Sequence, residues 1–225
     1  MILDLLFPKT CLGCGRSGSY ICSECISKVR LAQPICPYCE RASIDGLTHV
    51  RCQKKFGLNG LVSIWEYEGV IRKAILALKY KYATEITQLL KELIVEQFQN
   101  SNFKYQISNL GTLSPIPLHW HRQNVRGFNQ SIEIGKSISE AMNWKFLPDL
   151  LIKKQSTISQ AELSGDDRRQ NLRGVFALNP DSKFQIPDSI IIFDDVFTTG
   201  STLREAAKVL KRAGVQKVWG LTIAR

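Results

Sequence analysis

The run Ile190-Ile191-Ile192-Phe193-Asp194-Asp195-Val196-Phe197-Thr198-Thr199-Gly200-Ser201-Thr202 restricts this chain more than any other segment. Its apolar start reads as a buried strand of a parallel sheet. The strand ends in two acids. A loop of small hydroxyl residues around Gly200 follows, and a helix begins at about Leu203. Leu203, Ala206, Ala207 and Leu210 are its buried stripe, and Gly214 ends it. A helix N-terminus offers unpaired backbone N–H groups and a positive dipole end, so it attracts anions. Gly200 lets the backbone close on such an anion, and Thr198, Thr199, Ser201 and Thr202 add hydroxyl donors. Asp194 and Asp195 can accept hydrogen bonds from vicinal hydroxyls. Phosphate and diol recognised together point to a ribose 5-phosphate. No Lys follows the glycine as in a Walker loop, and the three-glycine dinucleotide spacing is absent.

The remaining chain alternates strand and helix signals. Leu58 to Tyr67 reads as a strand, and Val70 to Tyr80 as a helix with Ile71, Ala74, Ile75 and Leu78 on one face. Glu85 to Gln99 is a second amphipathic helix. Gly111 to Leu118 is a short strand. A helix running to about Met142 buries Ile132, Ile134 or Gly135, and Ile138. Leu172 to Leu178 and Val215 to Ile223 are strand-like. This alternation predicts an α/β fold, a parallel sheet flanked by helices with ligands at the strands' C-terminal ends. A chain of 225 residues suits one medium domain and a small one, divided as 1–56 and 57–225.

All seven cysteines fall between Cys11 and Cys52. Cys11 and Cys14, Cys22 and Cys25, and Cys36 and Cys39 each enclose two residues, a strong metal signal in a chain without a secretion signal. His49 stands three residues before Cys52 and restores a fourth pair. The pattern predicts two zinc sites, Cys11-Cys14-Cys22-Cys25 and Cys36-Cys39-His49-Cys52. A crossed ribbon, in which the first and third pairs share an ion, is the alternative. Four protein ligands leave no open position, so one or two ions here are structural. Disulfides would need an oxidising compartment and would leave one cysteine over.

The net charge of +10 favours polyanions, either nucleic acid or phosphorylated small molecules. Arg122 and Arg126, ahead of Gly127 and a helix start, form a second anion site. His119 and His121 in the same loop are either acid/base groups or solvated. Residues 153–171 are polar, with few apolar anchors, and read as a lid. Residues 1–7 carry an acid and no basic region, a poor secretion signal, and no stretch suits a membrane span. A cytoplasmic location is expected, with no membrane insertion.

The acid pair and hydroxyl loop resemble the phosphoribosyl-pyrophosphate (PRPP) signature of type I phosphoribosyltransferases. The cysteine pairs, Leu78-Lys79-Tyr80, Pro117 with Arg122, Arg126-Gly127-Phe128-Asn129-Gln130, Gln160 to Leu163 and the Asp194–Thr202 motif together resemble the ComF/GntX family of phosphoribosyltransferase-like proteins. In that family a fourth Cys pair is frequent, and His49 stands where its first Cys would be. The resemblance implies that Asp194 and Asp195 hold the ribose hydroxyls and that Thr198, Thr199, Gly200, Ser201 and Thr202 hold the 5′-phosphate. Lys79, Arg122 and Arg126 are candidates for the pyrophosphate end, with Mg²⁺ accompanying PRPP. It also implies a role in natural transformation, on the cytoplasmic side of DNA uptake, with single-stranded DNA as a partner. Two other readings stay open. One is a PRPP-dependent transferase, with Asp194 and Asp195 as catalytic residues, acting on an acceptor unrelated to DNA. The other is a zinc-ribbon scaffold for a DNA-uptake helicase.

Overall fold

The computed structural model describes residues 9–78, 83–100, 107–117, 129–154 and 174–225. Among them the strands are β1 (Gly60–Trp65), β2 (Thr112–Pro115), β3 (Lys145–Phe146), β4 (Leu151–Lys153), β5 (Phe176–Leu178), β6 (Ser189–Val196) and β7 (Lys217–Ala224). The helices are α1 (Ser23–Ile26), α2 (Gly69–Ala77), α3 (Ala83–Asn100), α4 (Gln130–Met142) and α5 (Ser201–Arg212). Five strands form one parallel sheet in the order β1-β7-β6-β2-β3. β4 and β5 form a separate antiparallel pair, an arrangement the sequence alternation does not predict.

β6 lies at the centre of the sheet because it is apolar on both faces. Ile191 and Phe193 pack with Ile71, Ile75, Leu90, Ile94, Ile134 and Ile138 of α2, α3 and α4. Ile190 and Ile192 pack on the other face with Leu203, Ala206, Ala207 and Leu210 of α5. All four of these strand residues are fully buried, as a strand covered on both sides requires. Ile132 differs from expectation: it is only half-buried, and α4 turns Ser131, Ile134, Gly135, Ile138 and Ser139 inward instead. α5 begins at Ser201, two residues before the predicted start, because Gly200 itself makes the left-handed turn at the N-cap.

The strand order places the site. From β2 the chain moves outward to β3, and from β6 it moves outward the opposite way to β7. β2 and β6 are therefore the switch point, where an open parallel sheet forms a crevice beyond its carboxyl ends. Leu113, Ser114 and Pro115 pair with Ile191, Ile192 and Phe193, and the Ile116 amide donates to the Phe193 carbonyl at 2.8 Å. Asp194 and Asp195 emerge at that crevice.

The cysteine region shares its core with the sheet. Ile21 belongs to the cluster under α2 and α3, with Leu12, Tyr20, Cys25 and Ile26 against it. Ile35 belongs to the α5 side, with Tyr38 against it.

Candidate functional site

The two halves of the cysteine region repeat one local fold. The Cys11 amide donates to the Arg16 carbonyl and the Gly15 amide to the Cys11 carbonyl; Cys36, Arg41 and Glu40 repeat both bonds. The residue four beyond the leading cysteine takes a left-handed conformation in each, Gly15 at φ 77° and Glu40 at φ 59°. A helical turn then presents the second pair. Cys22 caps α1, which carries Cys25, and His49 caps the 3₁₀ turn Val50–Cys52. His49 thus occupies the place of Cys22.

The ligand atoms of Cys11, Cys14, Cys22 and Cys25 all lie within 4.8 Å of one another, as do those of Cys36, Cys39, His49 and Cys52. Adjacent pairing is what the fold brings together, and the crossed ribbon is not. Sγ of Cys14 lies 3.7 Å from Sγ of Cys22, and Sγ of Cys39 lies 3.3 Å from Nδ1 of His49. Tetrahedral zinc with bonds of about 2.3 Å to sulfur and about 2.0 Å to nitrogen sets such pairs about 3.5–3.8 Å apart. Nε2 of His49 lies 3.1 Å from the Ala42 carbonyl, so it can donate there while Nδ1 faces the metal position. Both sets fit a structural zinc.

The thiols are already unequal. Burial opposes ionising Cys11, but the backbone donors of Cys14, Cys22 and Gly13 outweigh it and bring the thiol down to about 6. Burial and the neighbouring thiols push Cys25 up to about 12, and burial with Cys39 and Cys36 pushes Cys52 up to about 11. Metal capture must therefore release protons from the trailing cysteines.

At the end of β6 the acids fold back on their own strand. The Asp195 amide donates to Oδ1 of Asp194 at 2.9 Å, and the Val196 amide to Oδ1 of Asp195 at 2.8 Å. Burial first, and the charge of Asp195 second, hold Asp194 well above the ordinary carboxylate range; Lys153 on β4 pulls the other way. On the other side Tyr67, just beyond β1, has its hydroxyl raised by burial and further by Asp195.

The loop that follows is compact. Phe197 is buried beneath it and Thr198 is exposed. Oγ1 of Thr199 and Oγ of Ser201 are 2.8 Å apart. Gly200 caps α5 at φ 67° and offers no side chain to its first amides. α4, whose N-terminus stands on the other side of the switch point, is capped differently: Oδ1 of Asn129 accepts from the Ser131 amide at 3.0 Å. The Nδ2 group of Asn129 is buried and has no hydrogen-bond partner among the described residues.

Lys79, Arg122 and Arg126, with the other residues of 118–128 and residues 155–171 of the predicted lid, lie outside the described residues. The stems of that last segment are described. The Lys154 amide donates to the Val175 carbonyl, and the Gly174 amide donates to Glu205 of α5. A cleft of about 700 Å³ lies elsewhere, between the first ribbon and α3; Lys9, Tyr20 and Glu92 line it, and none of the site residues do. No helix of the described residues is long and apolar enough to cross a membrane.

Several residues around the site escape sequence reasoning. Tyr67 and Lys153 belong to elements far from the motif in sequence. Arg204 carries no signal either, since its partner is the Pro37 carbonyl, 167 positions away. Asn129 had a signal, as an N-cap residue before a helical pattern, but not its unpartnered amide.

Comparison with known proteins adds four matches. Residues 2–53 match the double zinc ribbon domain. The chain is 30% identical to competence protein F of Haemophilus influenzae, over 91% of this chain and 90% of that protein. It is 29% identical to the DNA utilization protein YhgH of Escherichia coli over 89% of both chains, and 27% identical to competence protein ComFC of Streptococcus pneumoniae over 92% of this chain and 88% of that one.

Proposed function

Since the chain belongs to the family of competence protein F, we propose that it binds PRPP and acts on the cytoplasmic side of DNA uptake, handling incoming single-stranded DNA. The ligand reading rests on one coincidence: at the switch point of the sheet, an acid pair, a left-handed glycine turn and a helix N-terminus without a side-chain cap stand together. Asp194 and Asp195 accept hydrogen bonds from the ribose 2′ and 3′ hydroxyls. The amides around Gly200, with Thr198, Thr199, Ser201 and Thr202, donate to the 5′-phosphate, where the dipole of α5 favours negative charge. A diol also supplies donors to the two carboxylates, offsetting the burial and the charge of Asp195 that raise Asp194 in the free protein. Lys79, Arg122 and Arg126 serve the pyrophosphate. Mg²⁺ arrives with PRPP and supplies neutralisation of that leaving group. The DNA reading rests on the net charge of +10 and on the family's competence and DNA-utilization members.

The test is a calorimetric titration with PRPP, with and without Mg²⁺, on the wild type and the Asp194→Asn/Asp195→Asn variant. Saturable binding lost in a folded variant supports the ligand reading, and no heat and no thermal shift at millimolar PRPP removes it. For DNA, long single-stranded oligonucleotides should bind with an affinity that falls steeply as salt rises, because phosphate contacts release counterions. No binding at low salt would exclude that part.

A further inference from the structure

The side chain of Arg204 ties the second zinc ribbon to the loop at the sheet's end. Arg204 stands in the first turn of α5, and its amide donates to the Gly200 carbonyl at 2.9 Å. Its guanidinium reaches the second zinc ribbon. Nε and Nη2 both donate to the Pro37 carbonyl, at 2.9 and 2.6 Å, and Nη2 reaches the Tyr38 carbonyl at 3.5 Å. The guanidinium carbon sits 5.0 Å from the centre of the Tyr38 ring, within cation–π range. Tyr38 is anchored in turn, its hydroxyl accepting from the Leu58 amide at 2.9 Å. Glu40 adds an ion pair at 4.0 Å. The side chain is one-fifth exposed, so these contacts are only partly screened.

Two features make this more than a packing contact. Pro37 and Tyr38 are the two residues between Cys36 and Cys39, so their carbonyls are held in place by the knuckle that those ligands close. At the other end, Nε lies against Gly200: a Cβ built on that glycine would stand 3.3 Å from it. A cation near a helix N-terminus opposes the helix dipole, and at a phosphate loop it would ordinarily face the anion. Here Nε and Nη2 donate to the ribbon.

We infer that Arg204 is a positioning residue through which the second zinc site sets the geometry, and so the anion affinity, of the Thr198–Thr202 loop. The inference rests on the reading of that loop as the phosphate site. Linkage then demands reciprocity. If zinc at Cys36-Cys39-His49-Cys52 tightens PRPP binding, PRPP must tighten that zinc by the same factor, and leave the Cys11-Cys14-Cys22-Cys25 ion unchanged.

The experiment uses the full chain loaded with zinc, as wild type, Arg204→Gln and Arg204→Lys. Hydrogen exchange of residues 197–205 reads the loop without any ligand. Glutamine should raise exchange there several-fold while two zinc ions per chain are retained, and lysine, which supplies one donor group but keeps the charge, should restore part of the protection. With PRPP as probe, the affinity of Arg204→Gln should fall by at least about fivefold, the lower end of ordinary site-to-site coupling. PRPP should slow zinc transfer to a colorimetric chelator from the second site only, and Arg204→Gln should erase that effect. A Tyr38→Leu variant, which removes the ring but neither carbonyl nor ligand, should act in the same direction as Arg204→Gln. The inference falls if Arg204→Gln, with both ions bound, keeps wild-type loop exchange. If the wild type binds no PRPP, the ligand reading fails, and loop exchange alone decides the brace.

Discussion

Replacing Gly200 by alanine separates two costs that are usually confounded. Gly200 has φ 67°, a left-handed conformation that costs a residue with a Cβ about 1–2 kcal/mol. A Cβ there would also stand 2.5 Å from Cε2 and 2.6 Å from Cζ of Phe197. Phe197 is 4% exposed and packed in the α5-side core, so its ring cannot swing clear. Overpacking of this kind costs about 1–3 kcal/mol. The sum is about 2–5 kcal/mol, a large part of the roughly 5–15 kcal/mol that stabilises a domain. Gly111 supplies the control. Its φ is 59°, but a Cβ there meets nothing within 4 Å, so Gly111→Ala should show only the backbone cost. At about 3 °C per kcal/mol for a chain of this size, thermal melts should drop by about 3–6 °C for Gly111→Ala and about 6–15 °C for Gly200→Ala. Adding Phe197→Leu to Gly200→Ala should recover much of the difference between the two. Equal losses at the two glycines, or no coupling between Gly200→Ala and Phe197→Leu in the double mutant, would refute the steric argument.

Asp194→Asn should stabilise the protein at neutral pH. Burial and Asp195 raise the folded-state pKa above the unfolded value of about 3.9, so the folded state holds that proton more tightly. The associated stability is complete below that value and is lost as pH rises through the folded pKa. The variant's advantage should therefore be present at pH 7.5 and vanish toward pH 3.5 in denaturant melts; a variant less stable than wild type at pH 7.5 contradicts the assigned cause. Chelation should unfold the ribbons and also lower the melting temperature of the sheet, because Ile21 and Ile35 pack in its two cores. An unchanged sheet transition after complete zinc removal would show that this packing contributes little. Ile191→Ala, on the fully buried centre of β6, should cost about 2–5 kcal/mol in chemical denaturation. A loss under 1 kcal/mol would mean that the strand is not the centre of the core.

Much of the fold and the site was legible without coordinates because the signals are local. Ile190 to Phe193 could only be buried on both faces, and Gly200 after two threonines could only be a turn into a helix. The cysteine pairs and His49 declared two tetrahedral sets because metal geometry is imposed by spacing within a knuckle. The starts of helices were less exact: Gly200 acts as its own cap, which moved α5 forward to Ser201, and α4 buries Ser131, Ile134, Gly135, Ile138 and Ser139 while Ile132 stays half-buried.

What the sequence determined by itself is the local chemistry: which residues form knuckles, and that Ile190 to Phe193 form a buried strand ending in two acids and a glycine turn into a helix. Spacing along the chain is enough for that, because each feature is built from residues within a few positions of one another. Only the tertiary structure decided that the ligand sets pair as neighbours, that the acid-bearing end of β6 lies at the switch point between β2 and β6, and that the guanidinium of Arg204 donates to the Pro37 carbonyl. The ligand pairing depends on how each half of the cysteine region folds back on itself, the switch point on strand order, and the Arg204 contact on residues 167 positions apart, none of which a local pattern encodes.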